Sequence, residues 1–391
     1  MYKFISIIFV LFFLPELRAQ QEVVNFYDTL QKVKREVYHE KTVNKKKVKD
    51  GPYVIYYANG ALWQQGNFKN GELDGLWIIN YDDKKIKQRL NYKNGKLQGR
   101  SEEYYPDSIL HQTATYVNDA YEGERRTYHE NGKLMEVATY SKGLLIGQMK
   151  GYYEDGTLHY IKNYENGLEN GPYEMYFENG NIQEKCMKKN GYFEGNYVSY
   201  YKDSVGAKSN ECFYLNGKLQ GDFISYYPNR IIRSKLKYNE DKAIGDFEEY
   251  YNDGKLKEKG TYQNGKKNGH WISYYDLEGQ GYYLQGQVYT EGDYLDDKYS
   301  GNWIIHYKNG KLKQEGNYKN GLADGVWKFY DEEGILGSQG TFVEDKETGI
   351  WHSFYKSGKV KVEFNFVDGK MNGIQKKYDE NGNIIEQKEV K

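Results

Sequence analysis

The sequence predicts an all-β protein, built as an elongated array of consecutive antiparallel β-hairpins. Three observations support this fold class. The 391 residues include 43 tyrosines and 43 glycines but only 5 prolines. Tyrosine favours strands and glycine permits tight turns, so the composition is typical of many short strands joined by turns. The other two observations are a sequence period of roughly 24 residues, as in stacked repeat proteins, and Asn-Gly pairs that recur between aromatic runs.

The period is marked by a glycine that begins each repeat, and we call these residues the opening glycines. The step between successive opening glycines is the same in eleven of thirteen cases and is longer from Gly195 to Gly221 and from Gly269 to Gly301. Such regular self-similarity is typical of a stacked array, here of about 14 repeats. The opening glycines, which we predict to define the repeat structurally, are Gly51, Gly75, Gly99, Gly123, Gly147, Gly171, Gly195, Gly221, Gly245, Gly269, Gly301, Gly325, Gly349 and Gly373.

Aromatic residues occupy fixed positions within each repeat. A large ring often stands two residues after the opening glycine, as at Trp77 and Trp327, and paired rings stand five and six residues after it, as at Tyr56 and Tyr57. The second and fifth positions have opposite parity, so a flat strand cannot place both on one face. Either both faces of the sheet carry aromatic rings, or a bulge changes the phase.

Each repeat contains two turn signals. Asn59-Gly60 and Asn70-Gly71 illustrate them in the first repeat. Asn-Gly between strand-like runs is a strong hairpin signal, because both residues tolerate positive φ. Each repeat therefore reads as strand, tight turn, strand, tight turn, and consecutive strands should be antiparallel neighbours. We expect about 27 strands in a long, twisted, open sheet.

The N-terminal region divides into two parts ahead of the array. Residues 1–19 contain an apolar run, Phe4 to Leu14, that is too short to span a bilayer as a helix and suits a signal peptide. Residues 20–50 are predicted to form an N-terminal segment and a degenerate half-repeat that caps the array of residues 51–391. The sequence thus predicts an exported protein of the periplasm, the cell surface or the secreted fraction.

Charge and motifs exclude several classes of function. The net charge is -1, with 55 Lys and Arg against 56 Asp and Glu, so we expect neither nucleic acid nor a membrane as the main partner. The seven histidines do not cluster, and His111 and His159 occupy the same position two repeats apart, too far apart to share a metal. We find no zinc spacing, phosphate-binding loop or nucleophile elbow. We therefore expect no catalytic residues, no metal site and no cofactor, and hence no enzyme.

The two cysteines are predicted to remain unbridged. Cys186 and Cys212 both stand nine residues before an opening glycine, in adjacent repeats. One strand should lie between them, which separates their Cα atoms by about 9 to 10 Å. A disulfide requires less than about 7 Å.

The two irregular steps are where this chain differs from its own repeat. Residues 203–210 carry two additional residues, and residues 277–297 carry eight. They are either tolerated hairpin extensions or binding loops on a rigid scaffold. The candidate binding residues are Tyr282, Tyr283 and Tyr289 in the longer insertion, together with Trp63, which stands outside the usual tryptophan position.

The segment NYKNGLADGVWKFY, Asn317 to Tyr330, resembles MORN repeats, and the resemblance covers about residues 37–391. Trp327 stands where ordinary MORN repeats usually carry a second glycine, so the chain is most similar to the bacterial MORN-variant family. The resemblance implies hairpin arrays that act as scaffolds or binding surfaces, and some bacterial members carry an antitoxin label.

Three functions follow as expectations. The first is a noncatalytic exported scaffold that binds a protein along one face of the sheet. The alternative is a glycan- or cell-wall-binding module, in which tyrosine and tryptophan rings stack on sugars. An antitoxin-like binding protein is a further alternative that the resemblance implies.

Overall fold

The computed structural model describes residues 20–276 and 286–390, and all regular secondary structure in these ranges is β-strand. The chain forms two compact units, Met1–Glu169 and Asn170–Lys391. The strands of the N-terminal unit are Gln21–Phe26, Lys34–Val43, Lys46–Tyr56, Leu62–Lys69, Glu72–Leu73, Gly75–Asn80, Ile86–Lys93, Lys96–Leu97, Gly99–Tyr104, Leu110–Val117, Ala120–Tyr121, Gly123–Tyr128, Leu134–Ser141, Leu144–Tyr152, Leu158–Glu165 and Leu168–Glu169. The strands of the C-terminal unit are Gly171–Tyr176, Ile182–Lys189, Tyr192–Tyr200, Lys208–Leu215, Lys218–Leu219, Gly221–Tyr226, Ile232–Asn239, Lys242–Tyr250, Leu256–Gln263, Lys266–Tyr274, Val288–Leu295, Lys298–His306, Leu312–Lys319, Leu322–Ala323, Gly325–Tyr330, Leu336–Val343, Lys346–Phe354, Val360–Val367, Lys370–Met371, Gly373–Tyr378 and Ile384–Val390.

Strands that are consecutive in the chain pair antiparallel, which confirms the predicted hairpin array. In the N-terminal unit, Gly75–Asn80 pairs with Ile86–Lys93, and in the C-terminal unit Gly325–Tyr330 pairs with Leu336–Val343. The sheet is open: among the described strands, Gln21–Phe26 pairs only with the strand that follows it. The predicted fold class, an all-β open sheet of consecutive hairpins, is therefore confirmed.

The described residues form 37 strands, more than the 27 or so that the period predicts. Seven of the additional strands have only two residues and end two residues before an opening glycine, as Leu322–Ala323 does before Gly325. Two others, Gln21–Phe26 and Lys34–Val43, lie in the predicted N-terminal segment. The opening glycine therefore lies within the paired region rather than at its start.

The opening glycines are required by backbone conformation. All fourteen have positive φ, from 66° to 115°. At most of them an added Cβ would meet open space or an ordinary van der Waals contact. Positive φ, rather than crowding, therefore explains glycine at this position.

Each hairpin contains a bulge, but the bulge does not bring the two aromatic positions of the first strand onto one face. In the first repeat, Ile55 pairs with Gln64 and Tyr56 pairs with Leu62, so Trp63 is the extra residue. The ring two residues after the opening glycine nevertheless faces away from the ring five residues after it. Tyr104, in the fifth position, donates a hydrogen bond to Glu102 on its own strand, which places it on the face of the third position. Both faces carry aromatic rings, and the bulge is present as well.

The two Asn-Gly turns differ in backbone conformation. In Asn70-Gly71 both residues have positive φ, as predicted, but in Asn59-Gly60 only the glycine does. There the Asn59 side chain accepts a hydrogen bond from the Ala61 N–H at 2.9 Å. The predicted turn is present at Asn59-Gly60, and there the asparagine acts through its side chain rather than through positive φ.

A hydrogen bond repeated along one edge of the sheet ties successive repeats together. The tyrosine six residues after an opening glycine donates its hydroxyl to the carbonyl oxygen of the fifth residue in the next repeat. His129 occupies this position in its repeat, and its Nε2 lies 3.0 Å from the Tyr152 carbonyl oxygen. The tyrosine bonds, 2.6–2.9 Å long, join Tyr57 to Asn80, Tyr81 to Tyr104, Tyr105 to Tyr128, Tyr201 to Tyr226, Tyr227 to Tyr250, Tyr251 to Tyr274, Tyr275 to His306, Tyr307 to Tyr330 and Tyr355 to Tyr378.

Candidate binding cleft

Tryptophans that lie flat against glycines build much of the core of the C-terminal unit, and the described part of the N-terminal unit contains one such pair. Trp327 is 4% exposed, and a Cβ added to Gly316 would lie 2.1 Å from its ring. Gly316 stands nine residues before the opening glycine Gly325, and Trp327 stands two residues after it. The same arrangement joins Gly66 to Trp77, Gly260 to Trp271, Gly292 to Trp303 and Gly340 to Trp351. Because the glycine has no side chain, the indole can lie directly on the neighbouring strand.

In other repeats, both the residue two after the opening glycine and the residue nine before it differ from this pair. Where the second residue is not tryptophan, the residue nine before the opening glycine can be larger than glycine: Cys186 precedes Tyr197, and Leu90 precedes Ser101. Cys186 and Cys212 are therefore small residues of the packing, and both are buried and unbridged. Tyr173 pairs with Cys186 and Tyr197 with Cys212, so the strand Tyr192–Tyr200 lies between the two cysteines as predicted.

A cleft of about 270 Å³ opens over this aromatic row in the C-terminal unit. Its polar lining consists of Glu258, Ser273 and Thr290. The remaining lining is Trp271, Tyr289, Tyr294, Tyr299, Trp303, Ile305, Tyr318 and Trp327. The cleft thus combines an aromatic floor with a carboxylate and two hydroxyls.

The rings of the cleft hold one another by edge-to-face contacts. Tyr299 lies 4.5 Å from Trp303 between ring centres at an interplanar angle of 75°, and Tyr318 lies 5.1 Å from Trp327 at 87°. Such contacts fix ring orientation and each contribute about 0.5–1.5 kcal/mol beyond burial. Tyr299 and Tyr289 present the exposed rings of the cleft, at 40% and 42%, whereas Trp303 and Trp327 form its buried floor.

The carboxylate of the cleft, Glu258, is paired with a lysine of the same chain. Glu258 lies 3.3 Å from the Lys267 ammonium and accepts a hydrogen bond from Ser273. Burial, a hydrogen bond with Tyr299 and the nearby Glu258 carboxylate raise the pKa of Tyr294. Burial raises the pKa of Tyr318 as well, with a further contribution from Asp345. Burial and neighbouring groups thus favour the protonated hydroxyls of Tyr294 and Tyr318.

The structure places the predicted binding residues as follows. Tyr289 lines the cleft and contacts Tyr275 at 4.9 Å between ring centres. Trp63 lies in the N-terminal unit, is half-buried and stacks on Tyr57 at 5.5 Å. Tyr282 and Tyr283 lie outside the described residues.

Trp63 and Tyr289 occupy the same position of the repeat, because each is the extra residue of its bulge. His111 and His159 occupy it too, and each stacks on the tyrosine six residues after its opening glycine, at 4.5 Å and 4.2 Å. Burial lowers the pKa of His159. The sequence placed His111 and His159 at one repeat position, but it predicted neither that Trp63 and Tyr289 share this position nor that the cleft residues Glu258, Tyr299 and Trp303 lie close together.

Metal-ligand clusters and membrane-spanning helices are both absent from the described part of the chain. Within residues 20–276 and 286–390, no three His, Cys, Asp or Glu side chains are grouped as metal ligands would be. Over the same ranges, no helix has the length and apolar character needed to cross a membrane.

Comparison with protein families gives eleven matches to one model, described as MORN repeat variant. They cover residues 49–70, 73–94, 97–118, 121–142, 145–166, 169–190, 244–264, 299–320, 323–344, 347–368 and 371–391, more than half of the chain. The chain belongs to the MORN repeat variant family. The matches follow the period of the opening glycines, and they leave out residues 191–243 and 265–298, where the two irregular steps of this MORN array lie.

Other comparisons add little to the MORN assignment. No curated protein matches the chain. The chain is similar to a crystal structure of TcdB2-TccC3 without its hypervariable C-terminal region, at 10% identity and a TM-score of 0.15 over 91% of this chain and 24% of that one. A crystal structure of TcdB2-TccC3-Cdc42 gives 10% identity and a TM-score of 0.12 over 88% and 24%. The Tc holotoxin pore of Photorhabdus luminescens gives 9% identity and a TM-score of 0.15 over 88% and 25%. The chain spans about a quarter of the length of these structures, and the values identify neither fold nor function.

Proposed function

We propose that this MORN protein is a noncatalytic, exported scaffold that binds a protein partner through the cleft of its C-terminal unit. The observation that carries the proposal is the cleft itself, an aromatic surface with exposed Tyr289 and Tyr299 on a rigid array of paired strands. Tyrosine and tryptophan dominate the energetic centres of protein interfaces, because they bury a large area at little cost in conformational entropy. Export is supported by the apolar run Phe4 to Leu14.

The same geometry disfavours catalysis and sugar stacking. Glu258, the carboxylate of the cleft, is already paired with Lys267, whereas a general acid or base needs a free group of adjusted pKa. A sugar ring stacks on the open face of an aromatic ring, but Trp303 and Trp327 are buried at 7% and 4% exposure. Both observations favour a side chain of a protein entering the cleft over a polysaccharide lying across it.

A substitution that fills the cleft tests this proposal. Thr290 and Tyr160 both stand eleven residues before an opening glycine. The Tyr160 ring lies directly on Gly151, its partner on the neighbouring strand, whereas the partner of Thr290 is Ser273. Thr290→Tyr, made together with Ser273→Gly to give the ring the same room, should fill the cleft and keep the fold. Gln88→Tyr, at the same position in the N-terminal unit, is the control.

The chain, produced from Gln20, is immobilised and exposed to an envelope extract of its source organism. We expect a protein that is retained by the wild type and by Gln88→Tyr but not by the double variant Thr290→Tyr/Ser273→Gly. If every retained protein also binds the double variant, the cleft is not the binding site. If purified cell-wall polysaccharide binds and the double variant abolishes that binding, the glycan alternative replaces this proposal. N-terminal sequencing of the native protein tests export, which predicts a mature chain beginning near Gln20.

A further inference from the structure

Lysine side chains of this chain fill several of its own aromatic clusters. The Lys267 ammonium lies 3.7 Å from the centre of the Trp271 ring and 5.3 Å from that of Tyr294. Lys49 lies in the same way 4.3 Å from the centre of Tyr53, and Lys188 lies 3.5 Å from that of Phe193. A cation over an aromatic face is attracted by the ring quadrupole, most strongly where water is excluded.

Carboxylates complete two of these sites. Lys267 is paired with Glu258 at 3.3 Å, and Lys49 is paired with Glu36 at 2.6 Å. Aromatic rings of this repeat therefore form, together with acidic residues, sites that accept an ammonium group.

Lys267 covers the rings at the Trp271 end of the cleft, but the rings at the other end, around Trp303 and Trp327, have no such lysine among the described residues. Lys267 stands two residues before its opening glycine, and the next two repeats carry Tyr299 and Ala323 at this position. Within residues 20–276 and 286–390, no lysine or arginine is placed over Tyr299, Trp303, Tyr318 or Trp327. The segment 277–285 contains neither lysine nor arginine.

Charge around the cleft also suits a cation. The Glu258 carboxylate acts on Tyr294, and the Asp345 carboxylate acts on Tyr318, in both cases favouring the protonated hydroxyl. Because Glu258 is already paired with Lys267, the Asp345 carboxylate near Tyr318 is the group that can stabilise a further positive charge. The cleft volume of about 270 Å³ admits the end of a long side chain.

We propose that the cleft receives a lysine or arginine side chain of the partner, whose cationic end lies against the rings of Tyr299 and Tyr318, above Trp303 and Trp327. This inference rests on the proposed function and specifies the chemistry of its partner. The partner's cation does there, one to two repeats further along, what Lys267 does on Trp271 and Tyr294. Tyr299 and Tyr318 form the walls of this site and Trp303 and Trp327 its floor.

The test uses small probes and needs no identified partner. The full chain is labelled with 5-fluorotryptophan, and its six tryptophan signals are assigned with single Trp→Phe variants, since Phe223 and Phe247 occupy the same repeat position. n-Butylammonium chloride is titrated in, with n-butanol as the neutral probe and sodium chloride as the ionic-strength control. We expect the fluorine signals of Trp303 and Trp327 to shift, at concentrations about tenfold lower for butylammonium than for butanol. Trp77, in the N-terminal unit, should not move.

A second variant introduces a lysine of this chain beside the cleft. Ala323→Lys places a lysine two residues before Gly325, as Lys267 stands before Gly269, and should weaken butylammonium binding at least about tenfold. Ala243→Lys is the control, because Ala243 stands at the same repeat position but precedes Phe247, which does not line the cleft, whereas Ala323 precedes Trp327, which does. Equal response to butylammonium and butanol, an equal shift at Trp77, or unchanged binding by Ala323→Lys would overturn the inference.

The outcomes separate this inference from the proposed function. If a captured protein no longer binds the double variant Thr290→Tyr/Ser273→Gly but binds Ala323→Lys as well as it binds the wild type, the cation inference is overturned. The proposed scaffold function then still stands. Butylammonium binding without any protein sensitive to the double variant overturns the scaffold function and leaves a cation site.

Discussion

Adding one methyl group to Gly316 should disturb the core as strongly as a large cavity does. The new Cβ would lie 2.1 Å from the Trp327 ring, whereas ordinary contact begins at 3.4 Å, so the ring must retreat by roughly 1 Å. Gly316 is a strand residue whose φ lies outside the left-handed region, so the backbone itself tolerates alanine. The effect of Gly316→Ala therefore reports packing alone.

The cost follows from what holds the indole. Overpacking a close-packed site costs about 1–3 kcal/mol. Retreat of the ring also weakens its edge-to-face contacts with Tyr318 at 5.1 Å and Phe342 at 6.0 Å, which contribute about 0.5–1.5 kcal/mol each. We expect Gly316→Ala to lower the free energy of unfolding by about 2–4 kcal/mol, measured by urea titration with tryptophan fluorescence.

Two further variants make the test specific. Gly337→Ala is the matched control, because a Cβ there would meet only the Phe329 carbonyl oxygen at 3.5 Å, and it should be neutral or stabilise by about 0.5 kcal/mol. The double variant Gly316→Ala with Trp327→Tyr copies the natural pair Cys186 and Tyr197 and should recover at least about 1 kcal/mol relative to additivity. A cost for Gly316→Ala no larger than that for Gly337→Ala, or no recovery in the double variant, would refute the packing argument.

Three other predictions concern turns, repeat contacts and pH. Gly265→Asp should stabilise the chain by about 0.5–1.5 kcal/mol in urea titration, because aspartates at this turn position accept a backbone N–H of the preceding repeat, as Asp241 does at 2.8 Å; an unchanged midpoint would contradict this. Tyr307→Phe should cost about 0.5–1.5 kcal/mol by the same assay and speed amide hydrogen exchange near Tyr330, since it removes the 2.8 Å bond to that carbonyl. Burial raises the pKa of Cys212 to about 11, so the folded state keeps the thiol proton where the unfolded chain has lost it. Iodoacetamide should therefore react slowly at pH 8 to 9 and faster as pH rises towards 11, and stability should fall over the same interval; rapid reaction at pH 8 in the folded state would oppose the assignment.

The hairpins, their order and the family could be predicted from the sequence, because they depend on local chemistry that repeats. The turn at Asn70-Gly71 could be predicted because both residues adopt positive φ readily. The structural role of Gly51 could be predicted because it belongs to the repeating series of glycines. The bulge could be stated only as an alternative, since parity shows that a strand deviates without showing which strand carries the extra residue. Trp63, outside the usual tryptophan position, is half-buried against Tyr57, whereas these tryptophans of the usual position are buried: Trp77, Trp271, Trp303 and Trp327.

The cleft could not be predicted, because it arises from differences between repeats that share a pattern. Lys267, Tyr299 and Ala323 stand at one position of three successive repeats, and only their side chains decide which aromatic cluster is filled. Such differences become visible once the rings on either side are placed. One signal was available in the sequence: a glycine stands eleven residues before each tryptophan of the second position, as Gly316 stands before Trp327. It predicts which strands approach most closely.

The pairing of glycine with tryptophan across successive repeats also limits how such a gene can lengthen or shorten. Removing residues 301–324 would bring Gly292 opposite Trp327, a junction that the chain already uses elsewhere. Removing residues 75–98 would bring Gly66 opposite Ser101 and leave a void where an indole had been. The repeats that begin at Gly269, Gly301 and Gly325 can therefore be copied or lost as interchangeable modules, whereas the repeat that begins at Gly75 cannot. Changes in array length should therefore accumulate among these three C-terminal repeats.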